Sequence, residues 1–228
     1  MPKEGDADFV CAMEDVLEVY KRPYDSARPL VCLDEASKQL VADITPPQPP
    51  QPGQPARQDY EYERRGTANM FMVVEPLAGW RHVKVTARRT NEDFAFLLRD
   101  ISDLQYPEVE RIVVVMDNLN THKLSVLYQV FPPQEARRLQ ERFEVHHTPK
   151  HASWLNIAEC ELSVLGRQCL ARRLDDQMLL EREVGAWEEK RNAQEVRVDW
   201  QFTTSDARIK LKRLYPVLAP TTFTKPDH

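Results

Sequence analysis

At 228 residues the chain has room for one large domain or two small ones, and a hydrophobic content of 42% is enough for a packed core. A net charge of −5 argues against a simple nucleic-acid coat, yet it leaves room for an enzyme with an acidic centre and local basic patches. No apolar stretch nears the roughly 20 residues of a membrane span, and the opening M-P-K-E-G-D-A-D lacks the pattern of a signal peptide.

Phe9, Val10, Met13, Val16, Leu17 and Tyr20 recur at helical spacing. Asp6 or Asp8 is the expected cap, and Pro23 the stop. Leu30–Leu33 is a short apolar run that reads as a buried strand with Asp34 at its C-terminal end. Ser37–Asp43 fits either a continuation of that strand or a short turn. Residues 45–56 are proline-rich, so they cannot form a helix interior or a central strand. An exposed, polyproline-like surface loop is expected there, with docking to a proline-binding partner as the sharper alternative.

Residues 67–75 and 81–88 read as two strands of a hairpin, joined through P-L-A-G-W. In the second, Val83 and Val85 point one way and His82, Lys84 and Thr86 the other, which predicts a half-exposed strand near an edge. Asn91 is the expected cap of a helix carrying Phe94, Leu97, Leu98 and Ile101. Ile112–Met116 is a second buried strand, ending in Asp117. Helical segments follow over 124–131 and 134–142, broken by Pro132-Pro133, and then a short strand over Phe143–His146. Ser153 is expected to cap a helix with the stripe Leu155, Ala158, Leu162, Leu165 and Cys169. Asp175 is expected to start the next helix, with Leu179, Leu180, Val184 and Trp187 inside. From Val196 onward no assignment follows. An early hairpin followed by strand–helix alternation predicts an α/β fold, a mixed five-stranded sheet with helices on both faces.

The four cysteines are Cys11, Cys32, Cys160 and Cys169, with no C-x-x-C pair. Cys160 and Cys169 share a predicted helix, which holds them roughly 13 Å apart, too far to bridge. Reduced thiols and a cytoplasmic location are therefore expected.

Two carboxylates, Asp34 and Asp117, thus end buried strands, where open α/β sheets place their ligands. Either aspartate also fits a plain capping or turn role. At Asp117, however, Asn118, Asn120 and Thr121 offer competing caps. The third acid comes from helix phase. At about 100° per residue, Glu159 shares a small polar flank with Asn156 and Ser163, whereas Glu161 falls on a flank with Trp154, Ile157 and Val164 that reads as packed or partner-facing. Three carboxylates without a histidine or cysteine ligand pattern favour Mg²⁺ or Mn²⁺. Two such ions roughly 3.5–4 Å apart suit phosphodiester chemistry. His146, His147 and His151 suggest zinc, but no cysteine stands at ligand spacing and His146 and His147 point to opposite sides of a strand. Lys150 and His151, just before a helix start, are better placed to meet phosphate. With Asn156 and Arg167 they make up the expected DNA-contacting set. Further basic clusters are Arg137, Arg138 and Arg142; Arg172 and Arg173; and Arg208, Lys210, Lys212 and Arg213.

The blocks V-C-L-D-E, M-D-N-L-N-T-H and H-T-P-K-H-A-S-W-L-N-I-A-E resemble the catalytic blocks of bacterial insertion-sequence DDE transposases in the mariner-like superfamily. The resemblance runs from about Pro29 to Tyr215, and the interval from Asp117 to Glu159 falls within what that superfamily tolerates. It implies a ribonuclease-H-like core with Asp34, Asp117 and Glu159 as the catalytic and metal-binding set. It also implies two divalent ions, double-stranded DNA at element ends and target as substrate, TA as target, and a homodimer on DNA.

The expected division is a helical lead-in at 1–28, a catalytic domain at 29–195 that includes the proline-rich loop, and a tail at 196–228. Complete family members carry helix-turn-helix domains before the core, and here only one clear helix precedes the first strand. The chain fits a second reading frame joined to an upstream helix-turn-helix partner. It also fits a truncated remnant that binds DNA or another transposase without transposing. The expected location is the cytoplasm, on the nucleoid when bound to DNA.

Overall fold

The computed structural model describes residues 4–46, 48–55, 59–117 and 123–217. Asn118, Asn120 and Thr121, the competing caps after Asp117, lie outside them. The strands are Leu30–Asp43 (β1), Tyr62–Glu75 (β2), Trp80–Thr86 (β3), Ile112–Met116 (β4) and Phe143–His147 (β5). They form one mixed sheet in the order β3-β2-β1-β4-β5. The β1–β2 and β2–β3 pairs are antiparallel, and the β1–β4 and β4–β5 pairs are parallel. The two apolar runs singled out in the sequence, β4 and the start of β1, are therefore adjacent at the centre. As expected, β3 is an edge strand.

The helices are Ala7–Tyr20 (α1), Asn91–Asp100 (α2), Leu127–Val130 (α3), Pro133–Glu141 (α4), Ile157–Gln168 (α5), Gln177–Ala193 (α6) and Thr204–Lys210 (α7). One core layer joins α1, α5, α6 and α7 to Cys32, Met70, Met72, Val113 and Val115. The other joins α2, α3 and α4 to Val31, Leu33, Phe71, Val114 and Met116. Neighbouring strand residues thus alternate between two apolar layers, so the central strands read as unbroken apolar runs.

The structure differs from the sequence reading at several boundaries. β1 continues well past Asp34, so that aspartate lies within a strand and not at its end. The strand persists because β2 starts earlier than expected and pairs with it out to Asp43. Thr90, not Asn91, caps α2: its hydroxyl oxygen accepts from the Asp93 amide at 3.2 Å, and the Asp93 carboxylate accepts from the Thr90 amide at 2.8 Å. Ser153 opens a single 3-10 turn, Ser153–Leu155, and Asn156 caps α5 instead. Asp176, not Asp175, caps α6 by accepting from the Leu179 amide at 2.7 Å.

The described part of the tail, up to Val217, packs on the rest of the chain. Ala207 and Leu214 join the first core layer, Thr204 donates to Glu18 at 2.5 Å, and both Arg208 contacts to the Glu14 carboxylate are 2.9 Å. These ties hold α7 on α1, so the expected lead-in and tail share the apolar layer that covers the sheet. The proline-rich loop is exposed where it is described. Gln51 and Gln54 exchange backbone hydrogen bonds across Pro52-Gly53, with Gly53 at φ +79°. Proline then glycine with positive φ is the signature of a type II turn. Arg173 closes the neck of this loop, pairing with Asp43 at 2.5 Å and donating to the carbonyls of Asp59 and Glu61 at 2.8 and 2.9 Å.

Candidate active site

The parallel register fixes where the first two acids stand. Cys32 lies beside Val115, so two residues further on Asp34 lies beside Asp117. Side chains alternate along a strand, so both aspartates share the face that carries Cys32 and Val115. That face is covered by α5. Glu159 sits in the first turn of α5 and turns toward the same place. Asp34, Asp117 and Glu159 line one cleft of about 330 Å³, together with Lys150, His151 and Asn156. Of the two neighbouring glutamates, Glu159 is the one that lines the cleft.

The end of β5 and the start of α5 are pinned around these acids. The Thr148 amide donates to the Met116 carbonyl at 2.9 Å, and His147 Nδ1 is 3.1 Å from the Asp117 carbonyl. Asn156 Nδ2 donates to the Leu33 carbonyl at 2.8 Å, just past the point where β1 and β4 stop pairing. Asn156 Oδ1 accepts from the Ala158 amide at 3.1 Å. Tyr20 on α1 donates to the Leu155 carbonyl at 2.7 Å and accepts from the Ile157 amide at 3.4 Å. Asp34 Oδ1 accepts from the Glu35 amide at 2.7 Å.

The four expected DNA contacts stand in different settings. Asn156 is only 1% exposed, and its amide is engaged on both sides. It holds α5 against β1 and does not face solvent. Arg167 is exposed, but its guanidinium donates to Ser163 Oγ at 2.8 Å and it does not line the cleft. Lys150 and His151 do line it, and both are exposed. His151 has φ +64°, a left-handed turn that points the chain from β5 into the 3-10 turn before α5.

Glu161 has a different fate. It is 3% exposed and meets Arg191 Nη2 and Nε at 2.5 and 3.2 Å, with Arg81 Nε 3.5 Å away. Arg81 is fully buried and also donates to the carbonyls of Gly79 and Val196 at 2.9 and 2.5 Å. Asn192 takes the Arg81 amide at 2.9 Å and returns its own Nδ2 to the Arg81 carbonyl at 2.8 Å, which satisfies the open edge of β3. Arg81 shares the face of Val83 and Val85 in the alternation of β3, and that parity is the signal for its burial. The signal for Asn156 was its place directly before the first helical residue, a capping position.

Zinc finds no support in the histidines. His146 sits between Asp15 at 2.7 Å and Glu144 at 3.1 Å, while His147 faces Asp117 on the other side of the strand. Asp34, Asp117 and Glu159 are all oxygen donors, the type that suits a hard divalent cation. Among the described residues no three His, Cys, Asp or Glu side chains are gathered closely enough to enclose an ion. The acids share a cleft without forming a closed cage.

Two aspartates on adjacent central strands, facing a helix-borne glutamate over a mixed five-stranded sheet with helices on both faces, define a ribonuclease-H-like architecture. Residues 29–181 match the family model described as DDE superfamily endonuclease, and the chain belongs to that superfamily. Solved structures with a similar fold include three of the Mos1 mariner transposase. The paired end complex with Mn matches at 17% identity and a TM-score of 0.54, over 86% of this chain and 60% of that one. The paired end complex with Mg matches at 15% identity and a TM-score of 0.55, over 94% and 65%. The isolated catalytic domain matches at 13% identity and a TM-score of 0.51, over 86% and 96%. The chain thus spans less than two-thirds of the full Mos1 chains and nearly all of their catalytic domain. No curated protein sequence matches it. No helix of the described residues is long and apolar enough to cross a membrane.

Proposed function

We propose that this chain is the catalytic core of an insertion-sequence transposase of the bacterial type, which cuts DNA at the ends of its element and joins the freed 3′-hydroxyl to target DNA. The observation that carries this reading is the gathering of Asp34, Asp117 and Glu159, from two strands and a helix, in one cleft beside Lys150 and His151. The three carboxylates would hold Mg²⁺ or Mn²⁺, as two ions. Divalent ions held there would supply Lewis-acid chemistry for the attacking and leaving oxygens. The chain's own part is positional. Asp34 and Asp117 are fixed by strand register. Glu159 is fixed through the Asn156 and Tyr20 anchors, and Lys150 offers charge to a phosphate at the cleft mouth. Dimerisation on DNA and a helix-turn-helix partner that reads the element ends belong to the same reading.

The test is a DNA nicking and strand-transfer assay with Mg²⁺ or Mn²⁺, run beside thermal melting. Millimolar metal should raise the melting temperature of the wild type by binding its folded state. Asp117→Asn should abolish cleavage and shrink that rise. Equal metal shifts in both proteins, or cleavage by the variant, would remove Asp117 from the site.

A further inference from the structure

Between the cleft and the tail the surface carries an exposed indole. Trp154 is 42% exposed, one residue on from Ser153 and two before Asn156, both of which line the cleft. One side of it is backed by other rings. Its ring lies 6.4 Å from that of Trp200 with an interplanar angle of 21°, and it meets Phe202 edge-on at 5.6 Å. Trp200 in turn packs on Tyr20 at 5.1 Å, and Tyr20 anchors the start of α5. Trp154 is therefore the outer ring of a stack tied to the same backbone that holds Glu159. Its indole N–H makes no hydrogen bond to a described residue, although Trp187 and Trp200 both donate theirs. Lys150 and His151 stand exposed on the cleft side, Lys150 with no ion pair among the described residues, and Lys210 lies 5.4 Å from the Phe202 ring on the other.

A rigid, half-exposed aromatic face between cations is the arrangement that binds single-stranded nucleic acid, because bases stack on the ring while phosphates meet the charge. A side chain already ordered by its neighbours loses little freedom on binding. We infer that Trp154 is a stacking platform for an unpaired base of the DNA strand held in the catalytic cleft. This rests on the DNA reading above and adds to it a preference for DNA whose strands are splayed at the cut.

Fluorescence anisotropy should compare a fully paired duplex with the same duplex carrying a three-nucleotide single-stranded overhang. The wild type should bind the overhang substrate about tenfold more tightly, the scale of one stacked base. Trp154→Ala should erase that preference while leaving the paired duplex unchanged, and Trp154→Phe should keep most of it. Trp154→Ala also loses its ring contacts with Trp200 and Phe202, so its melting temperature should drop slightly and binding is compared well below it, whereas Trp154→Phe should melt close to the wild type. Equal wild-type affinity for the two DNAs, with metal-dependent cleavage intact, overturns the stacking role alone. So does a Trp154→Ala effect confined to self-association, which would make the patch a protein contact. Failure to bind either DNA would overturn the stacking role and the DNA reading together.

Discussion

Two carboxylates two residues apart on the same helix meet opposite surroundings. Glu159 turns to an open cleft beside Asp34 and Asp117, and no arginine or lysine pairs with it among the described residues. Glu161 turns inward to Arg191 and Arg81. Burying a charge is tolerated when cations and hydrogen bonds surround it, so Glu161 can be part of the core. Three oxygen-donor side chains lining one open cleft make sense where a hard cation is to be bound, as the proposed function has it. On this helix, then, the partners of each carboxylate, and not the helix itself, set the role proposed for it.

The largest expected effect tests that separation directly. Glu159→Gln should lower strand cleavage by about 1,000-fold or more, yet change unfolding free energy by no more than about 0.5 kcal/mol. Glu161→Gln should do the reverse. It leaves the buried Arg81 and the partly exposed Arg191 without their shared counter-charge, and a loss of about 3 kcal/mol in urea unfolding is expected. Activity per folded molecule should fall far less than with Glu159→Gln. A stable Glu161→Gln protein without activity would invert the two roles.

Next in size is the anchor between the regions. Asn156→Ala removes a helix cap and leaves the Leu33 carbonyl without its donor. Urea unfolding should register a loss of about 1–3 kcal/mol. Because Glu159 hangs on the same turn, cleavage should weaken too, and more metal should be needed for half-maximal rate. A destabilised variant with an unchanged metal requirement would confine Asn156 to the fold.

A third case lies far from the cleft. Glu144 accepts from Arg22 at 2.7 Å, from Arg28 at 2.6 Å and from His146 at 3.1 Å, and the Arg22 contact leads in pushing its carboxyl down to about 2 from an ordinary value near 4.5. A depressed folded-state value means the group stabilises the protein above the ordinary value, and that this is lost as pH falls through about 2. Since both arginines are about half exposed, the gain at neutral pH should be about 1–2 kcal/mol. Glu144→Gln should be less stable than wild type at pH 7, and the gap should close between pH 5 and pH 2. A gap that stays constant with pH would mean that the ion pairs contribute nothing.

How far these roles were legible follows from their physics. Val113 to Met116 and Val31 to Leu33 are apolar on both faces, so the central strands stood out, and with them Asp34 and Asp117. Helix phase separated Glu159 from Glu161 because α5 is regular there. The continuation of β1 past Asp34 was ambiguous, since E-A-S-K-Q-L-V-A-D is half polar and its pairing depends on β2, far along the chain. Ser153 looked like the cap because a lone 3-10 turn has no sequence period of its own. The alternation of β3 puts Arg81 on the inward face, but its partners Glu161 and Val196, like the aromatic stack on Trp200, arise only when segments distant in sequence meet.

The smallest effect concerns cations. Most of the basic clusters seen in the sequence are already matched within the protein. Arg138 pairs with Glu135 at 2.6 Å and Asp103 at 2.7 Å, Arg137 with Glu141 at 2.6 Å, and Arg208 with Glu14 at 2.9 Å. Arg142 donates to the carbonyls of Ser102, Tyr106 and Pro107. Lys150 is exposed at the cleft without such a partner among the described residues. A cation that is already paired must give up its carboxylate before it meets phosphate, whereas Lys150 exchanges only water and counterions. Lys150→Ala should therefore weaken every DNA sequence alike by a few-fold, and reduce the slope of log affinity against log salt by about one. Arg138→Ala should change neither, although it removes the same formal charge. Equal losses from the two substitutions would show that DNA responds to net charge alone. A loss at Lys150 confined to one sequence would mean that the lysine reads bases and not phosphate.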